Sequence, residues 1–517
     1  MKEPNHIIEK VFLEVNTSDI ETANSIKNNI NRFLMNNLFP RLEMLFDEYN
    51  MPGIVVRFNT LKINFSVNNV KNLEDIKSEI NEKLENSFKQ HFELEVLPDS
   101  VATQQGKHIL LLKDLEISFL FFLENGYLPW FGKKEALLDF VASDNWGKSV
   151  DNDEFVTRIS RLVNKNAKIR FRFLSFMPAR AVVSFLIRKE RIFKEYDDVL
   201  FSFFEETDLT FKTALFEVLT LKTGKQVSAA LKTVVNALRS ISGKIDEIKV
   251  RRFLKMLRSV LPVELMEEEA DVIALIKKEI EIQEKEADVI KLTKNIQSIQ
   301  SKERQKEYVK ENELKKEEED LIQMKGAADI ALEILSKEEF DISENFFDET
   351  DVQEVFVVNA GLILLHPFFG QLFGTLGYLD DMKMILKSKT DIAVQTLHYI
   401  ATGSEDFFEG DLLLEKFICN VPLKWPVNTE SLLTKKIKDE VEVMMQEAVR
   451  HWPALKNTSP GGLRQMFISR DGKLIEQPKG YKLIVERKAQ DVLLEKLNWN
   501  ISLVKFPWKK ELITVEW

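Results

Sequence analysis

Residues 451–475 read HWPALKNTSPGGLRQMFISRDGKLI and form the stretch around which the C-terminal half of the chain is organised. The residues before it are apolar at helical spacing, and proline disfavours the helical region for its predecessor, so a helix is expected to end near His451. Residues 457–462 are a dense turn cluster, after which helical spacing resumes. The Asp471-Gly472 pair favours a hairpin turn. The stretch predicts a packed corner without a reactive group.

The corner resembles the C-terminal signature of tape measure proteins from contractile injection systems, the phage-tail-like particles that drive a tube through a sheath. Further sequence segments resemble that family and occur in the same order as in the family. They cover both ends of the chain, whereas the match from about residue 150 to 350 is weak. These words are HIIEKVFLEVNTSDIETA (6–23), FLENGYLPWFG (122–132), NAGLILLHPFFGQLF (359–373), AVQTLHYIATG (393–403), LLLEKFICNVPL (412–423) and ISLVKFPWKKELITVEW (501–517).

The resemblance implies a non-enzymatic assembly protein that lies in the lumen of the inner tube, sets tube length and leaves with the tube on contraction. It also implies inner tube, spike or hub, and baseplate proteins as partners, with self-association left open, and a cytoplasmic stage before the chain enters the particle. The family-signature and interaction candidates are Trp130, Asn359, His366, Pro367, His398, Trp425, His451, Trp452, Pro453, Asn457, Trp508 and Trp517. The alternative is a soluble helical adaptor or chaperone that binds particle components and never enters a tube.

Composition limits the classes of function. The 517 residues include 83 acidic and 72 basic side chains, a net charge of -11, which disfavours nucleic-acid binding and favours protein partners. Cys419 is the single cysteine, so an intramolecular disulfide is excluded and a thiolate metal site lacks partners. The first thirty residues have no apolar core typical of a secretion signal, so cytoplasmic synthesis is expected. The most apolar window, 355–373, is interrupted by polar residues and predicts buried core instead of a membrane span.

The predicted fold is mainly α with α+β terminal domains. Four regions are expected: a small N-terminal α/β domain (1–100), a helical domain (101–262), a charged helix or linker (263–326) and a C-terminal α+β domain (327–517). A helical repeat array is an alternative for the second region, although no steady period is found. In the third region, heptad spacing of apolar residues over about three heptads predicts either a short coiled coil or a solvated connector.

Several local patterns predict individual elements. A first strand is expected over 7–15, followed by a helix that begins at the Ser18 capping box and is broken by Pro40. Residues 54–67 alternate in two registers, which predicts strands joined by a bulge or turn, and a helical stripe follows at 76–88. At the other end, strands over 481–485, 501–506 and 512–517 and a helix over 489–497 are expected. The last strand should lie within a sheet.

Catalytic and ligand-binding patterns are weak. The six histidines lack the spacing of helix-borne metal ligands, and neither a phosphate-binding loop nor a dinucleotide fingerprint occurs, so no metal or cofactor is expected. His366 and His398 are interpreted as core histidines bonded to backbone. Ser459 lacks the context of a nucleophile. The basic residues from Arg170 to Arg191 are interpreted as a solvated helix face instead of a phosphate-binding patch. Most tryptophans are expected in the core, with Trp425 as an exposed anchor.

Overall fold

The computed structural model describes residues 6–9, 11, 14, 19–50, 53–58, 81–86, 89, 106–221, 225–241, 245–261, 354–455 and 458–517. Their contacts divide the chain into two compact units, Met1–Phe119 with Leu128–Phe140, and Leu120–Tyr127 with Val141–Trp517. The fold is mainly α with an α+β region at the C-terminus, as predicted. The four domain boundaries predicted above stay predictions.

The first unit begins with two helices joined by a π-helical turn. Helix α1 spans Ile20–Phe33, the turn spans Leu34–Leu38, and α2 spans Phe39–Glu48 with Pro40 in its first turn. Proline lacks the backbone N–H that an uninterrupted helix would need, so the predicted break at Pro40 is confirmed. The helix starts where the capping box placed it, although Ser18 itself lies outside the described residues.

A two-stranded antiparallel sheet follows. Strand β1 (Ile54–Phe58) lies within the predicted 54–67 pattern and pairs with β2 (Gly106–Leu110). The sequence patterns did not predict β2. The predicted strand over 7–15 is wrong at the residues of that stretch that are described, because they are irregular. Alternating apolar residues form a strand only where a neighbour satisfies their backbone groups, and β1 takes β2 as that neighbour. Residues 81–86 of the predicted stripe are helical, while the second half of the 54–67 pattern lies outside the described residues.

Short helices occupy 111–261. Their bounds are α3 Leu111–Asn125, α4 Lys134–Ala142, α5 Asp144–Val150, α6 Asp153–Lys165, α7 Ala167–Phe176, α8 Ala179–Lys189, a 3-10 turn Arg191–Tyr196, α9 Asp197–Glu206, α10 Leu209–Leu221, α11 Lys225–Ile241 and α12 Glu247–Val260. Helix α3 ends at Asn125, directly before Gly126, and Pro178 is the N-cap residue of α8. The Asn166 side chain caps α7 by accepting hydrogen bonds from two backbone N–H groups.

The C-terminal region combines helical segments with strands. Its bounds are β3 Glu354–Val357, a 3-10 segment Ala360–Leu365, α13 His366–Thr375, a 3-10 turn Lys387–Lys389, α14 Thr390–Thr402, a 3-10 turn Glu409–Asp411, α15 Leu413–Ile418, α16 Lys435–His451, a 3-10 turn Pro453–Leu455, α17 Pro460–Leu463, a π turn Arg464–Ile468, β4 Gly472–Gln477, β5 Gly480–Val485, a 3-10 segment Ala489–Lys496, β6 Leu503–Val504 and β7 Ile513–Glu516. Helix α16 ends at His451, as predicted.

The five C-terminal strands form one sheet in the order β3-β4-β5-β7-β6. Strand β7 pairs parallel with β5 and antiparallel with β6, which confirms that the closing strand lies within a sheet. The predicted hairpin turn at Asp471-Gly472 is wrong. Gly472 instead begins β4, where a Cβ would lie 2.4 Å from the Ala360 Cβ, so glycine allows close packing there.

Most apolar residues of the window 355–373 are buried, as predicted, although Phe356 is 59% exposed. Strand β3, the following 3-10 segment and α13 contribute the buried ones to the C-terminal core. Side chains from the inner face of the sheet, including Leu474, Leu483 and Ile513, pack in the same core. Within the part of the chain that the structure describes, no helix is both long and apolar enough to cross a membrane.

Candidate functional site

One of the signature residues, Trp452, lies in an aromatic cluster with Phe368, Phe467 and Trp499, which we call the tryptophan corner. Trp452 is 1% exposed and its ring centroid lies 4.7 Å from that of Phe467 and 6.4 Å from that of Trp499. Its indole N–H donates to the Leu493 carbonyl at 3.2 Å. The corner therefore joins the end of α16 to the closing segments of the chain, and it is a packing site, as expected of residues 451–475.

The other residues of that stretch have structural partners. His451 is exposed and its Nδ1 lies 2.8 Å from the Glu447 carbonyl of the same helix. Pro453 begins a 3-10 turn. Ser459 Oγ accepts a hydrogen bond from the Gly462 N–H at 3.1 Å and so caps α17, a structural task for this hydroxyl. Asn457 lies outside the described residues.

Asn359, His398 and Glu415 form a second cluster, deep in the C-terminal core. Asn359 has a left-handed backbone (φ 58°) and donates from Nδ2 to Glu415 Oε1 at 3.3 Å. His398 Nδ1 lies 4.0 Å from the same oxygen, and its Nε2 lies 3.2 Å from the Asp406 carbonyl. Glu415 Oε2 is buried and has no hydrogen-bond partner. Burial raises the pKa of Glu415 to about 8, so this carboxyl is mostly protonated at neutral pH.

His366 has a separate environment at the start of α13, next to the exposed Pro367. Its Nδ1 lies 3.1 Å from the Ile363 carbonyl, and burial lowers the pKa of its imidazole despite that bond. Both His366 and His398 thus pair with backbone carbonyls, but only His398, 5% exposed, is confirmed as a core histidine, whereas His366 is partly buried. Among the described residues, no group of three or more His, Cys, Asp or Glu side chains is placed to hold a metal ion.

The remaining tryptophans differ in their surroundings. Trp508 is buried, stacks on Phe506 and Phe373, and donates to the Ile418 carbonyl at 2.7 Å. Trp517 donates to Asp491 Oδ2 at 3.1 Å. Trp130 is 41% exposed. The prediction of an exposed Trp425 is wrong, because this ring is partly buried with the Lys168 ammonium 4.4 Å from its centroid.

The cavity beside Trp508 is too small for a substrate. It is lined by Met384, Ile385, Lys387, Thr390, Cys419, Asn420 and Trp508. Its volume is about 20 Å³, which is room for a single water molecule. Burial raises the pKa of the Cys419 thiol well above its ordinary value, so this side chain is a poor nucleophile.

A further buried polar cluster was not predicted. Arg172, Glu409 and Lys416 form what we call the junction cluster, which joins helix α7 to the C-terminal region. Arg172 Nε donates to Glu409 Oε2 at 2.9 Å and its Nη2 donates to Oε1 at 3.1 Å, while Lys416 Nζ donates to Oε1 at 2.7 Å. The exposed fractions of these side chains are 1%, 5% and 0%.

Backbone carbonyls complete the junction cluster. Arg172 Nη1 donates to the Leu123 carbonyl and Nη2 also donates to the Lys424 carbonyl, each at 2.6 Å. Gly126 turns the chain above the guanidinium with φ 80°, and a Cβ at this position would lie 2.7 Å from both Arg172 Nη2 and Glu409 Oε1. The word FLENGYLPWFG therefore contains a glycine that the cluster requires, because of both its backbone angle and its close approach.

The electrostatics of the junction cluster favour the ionised state. Burial alone would raise the pKa of Glu409, but the charges of Arg172 and Lys416 outweigh it and hold the pKa below its ordinary value. Burial lowers the pKa of Lys416, and the Glu409 carboxylate opposes this shift. Asp391, which accepts from the Asn428 N–H, has its pKa raised by burial to about 6 against the Lys416 charge.

The interpretation of the basic residues as a solvated face is wrong for Arg170 and Arg172. Arg170 is 2% exposed and donates from Nε and Nη2 to Glu217 Oε1 at 3.1 and 2.6 Å. The interpretation holds for Arg191, which is exposed. The neighbouring residues could have indicated that these charges are buried. Arg170 and Arg172 alternate with phenylalanines, and Glu415 and Lys416 lie within the apolar segment LLLEKFIC. A charge within an apolar run indicates a buried pair.

Comparison with protein families matches residues 5–517 to the contractile injection system tape measure proteins. Because the match covers nearly the whole chain, the protein belongs to this family, as the resemblance of its words predicted. No curated protein and no solved structure matches the chain. Whether the twelve signature residues contact other particle components stays a prediction.

Proposed function

We propose that this chain is a non-enzymatic tape measure that lies in the lumen of the inner tube, sets the length to which the tube polymerises, and leaves with the tube on contraction. The observation that carries the proposal is the family match over residues 5–517. The proposed partners are the inner tube, spike or hub, and baseplate proteins. The protein would be cytoplasmic during assembly and inside the particle afterwards.

The chemistry of the buried groups supports a structural task. Arg170, Arg172 and Lys416 direct their charges at carboxylates and carbonyls of the chain itself. The histidines of the C-terminal core bond to backbone, and the serine of the corner caps a helix. In each case the group that could perform chemistry already has a structural partner, which is what a scaffold requires.

The test is electron microscopy of particles purified from cells with and without this gene. The tape measure proposal expects that loss of the gene abolishes particles or makes tube lengths heterogeneous, and that complementation restores one narrow length. A narrow, unchanged length distribution without the gene would overturn the proposal. Mass spectrometry of intact and contracted particles tests the position, since the chain should be present before contraction and depleted afterwards.

The second candidate is a soluble adaptor or chaperone. It is favoured by one observation: residues 141–261 and 354–517 fold into a single compact unit, whereas a ruler within a tube should be extended. An adaptor would be needed for assembly but absent from purified particles, so the same mass spectrometry distinguishes the two. Genes for sheath, tube, spike and baseplate proteins beside this gene would favour the tape measure.

A further inference from the structure

The junction cluster connects parts of the chain on opposite sides of residues 262–353. Arg172 precedes that segment and Glu409 follows it, and two more bonds join the same regions: Thr429 Oγ1 donates to the Ser175 carbonyl at 3.4 Å, and the Leu209 N–H donates to Glu430 Oε1 at 2.6 Å. Helix α12, which leads into the segment, and β3, which follows it, therefore belong to one compact unit. The described residues on either side of 262–353 thus lie in the same unit.

This topology limits what the segment could measure. A helical segment of about 90 residues would reach about 140 Å in one pass, but only about 70 Å if it must go out and return. Each added residue would extend the closed form by about 0.75 Å instead of about 1.5 Å. A tape measure can use the full length of residues 262–353 only if the parts of the chain on either side of that segment are far apart. The junction cluster holds those two parts together.

The junction cluster consists of charged groups that water can hydrate again when the cluster opens. Separating Arg172 from Glu409 and Lys416 restores the hydration of each ion, so a buried ion cluster resists opening less than an apolar core of similar size. Apolar contact at the junction includes the Phe408 ring, which lies 4.9 Å from Phe122 and 5.9 Å from Phe176, centroid to centroid. The tryptophan corner and the C-terminal sheet are not part of it, so they would keep their cores if the junction opened.

We propose that the junction cluster is a latch that holds the chain in a closed form before assembly and opens to let the ends of residues 262–353 separate. The proposal rests on the proposed tape measure function and deepens it. Opening exposes the Arg172 and Glu409 faces, which are then available to bind other components of the particle. The closed chain is the form made in the cell, and the open chain is the form that spans the tube.

The first experiment uses the isolated full-length chain. Arg172→Met removes the central cation, and Gly126→Ala inserts a methyl group beside it without removing a charge. Arg188→Met is the control, since Arg188 pairs at the surface with Asp153, whose side chain is 89% exposed. The latch expects that both junction variants unfold in two separate urea transitions and show a larger radius of gyration with unchanged helix content, while the control matches the wild type.

A single cooperative loss of all structure in both junction variants would overturn the latch, because the cluster would then belong to one indivisible core. Unchanged size and one unchanged transition would overturn it as well. If Arg172→Met does not yield folded protein, Glu409→Gln supplies the same comparison, since the amide keeps the size of the side chain and removes its charge.

The second experiment measures particle length for a series of deletions and insertions within 262–353. The inserts are helix-forming Glu-Ala-Ala-Ala-Lys repeats, for which an open latch predicts a slope of about 1.5 Å per residue and a closed latch about 0.75 Å. A slope of half the helical value would overturn the latch and leave the tape measure function intact, because the segment would be acting as a closed loop. A flat series also overturns the latch, and the gene-deletion result then decides separately whether the chain measures length.

Discussion

The protonation state of Glu415 affects stability. Its side chain is fully buried, and burial raises its pKa from an ordinary 4.5 to about 8. Between these values the unfolded chain loses the proton while the folded chain keeps it, so the unfolded state binds fewer protons and stability falls as pH rises. The decline should begin near pH 4.5 and level off above about pH 8.

Glu415→Gln should remove this decline, because the amide is neutral at every pH in that window. We expect the variant to be more stable than the wild type at pH 7, by up to about 3 kcal/mol, with the difference shrinking to nothing near pH 4. Urea unfolding at several pH values measures the effect. Glu495→Gln, at an exposed position, is the control. Parallel stability curves for Glu415→Gln and the wild type would contradict the assignment.

Arg170 tests whether burial changes the value of an ion pair. Arg170→Met would leave the buried Glu217 carboxylate without its cation, and we expect a loss of about 3 to 5 kcal/mol. Adding Glu217→Leu removes the orphaned charge and should recover most of the loss. Arg188→Met, which breaks a surface pair, should cost no more than about 1 kcal/mol. Equal losses for the two single arginine variants would show that the Arg170 pair is solvated.

At the scale of elements, the C-terminal core depends on close backbone packing between the 3-10 segment Ala360–Leu365 and the π turn Arg464–Ile468. A Cβ on Gly361 would lie 1.7 Å from the Phe467 carbonyl oxygen, whereas a Cβ on Gly370 in α13 meets nothing within 4 Å. Gly361→Ala should destabilise the protein by about 3 kcal/mol because backbone must move. Gly370→Ala should be neutral or stabilise by up to about 1 kcal/mol. Urea midpoints compare the two, and equal midpoints would refute this packing.

The closing strand gives a second prediction at this scale. Strand β7 lies between β5 and β6, and Trp508 before it is 1% exposed. Removing residues 508–517 should leave β5 with an unpaired edge and expose the apolar side chains that β7 covers, so the truncated chain should aggregate. Removing Trp517 alone, beyond the end of β7, should leave a soluble protein. Soluble truncated protein with native near-ultraviolet circular dichroism would contradict this arrangement.

At the scale of the whole molecule, hydrogen bonds join parts of the second unit that are far apart along the chain. The bonds from Arg172, Ser175 and Leu209 to the C-terminal region join described residues on either side of 262–353. Replacing that segment with a flexible Gly/Ser linker of about 20 residues, which spans roughly 25 Å on average, should leave the unit folded.

The measurement is urea unfolding of the chain with linkers of about 20 and 40 residues, which should differ by only about 0.6 kcal/mol because closure entropy grows slowly with loop length. Loss of the fold with both linkers would show that residues 262–353 supply part of the core. Native stability with both would show that this part of the chain is free for another task, such as measurement.

The sequence by itself determined the features that depend on neighbouring residues. The end of α16 at His451, the break at Pro40 and the strand that reaches the C-terminus follow from proline geometry and short-range periodicity, which act within a few residues. The family was likewise predicted from the sequence without a structure, and the match over residues 5–517 confirmed it. The backbone partners of His366 and His398 were predicted correctly, because in an apolar neighbourhood a backbone carbonyl is the usual hydrogen-bond partner of an imidazole.

Only the tertiary structure decided which charges are buried and what Gly472 does. Arg172 and Glu409 are 237 positions apart, and an arginine at helical spacing has the same sequence pattern whether it faces water or a carboxylate. Gly472 follows an aspartate as it would in a turn, but the approach of Ala360, more than 100 residues earlier, makes it the first residue of a strand. Local patterns specify backbone preference, whereas the partner that satisfies a buried charge is supplied by a distant segment and is known only once the chain has folded.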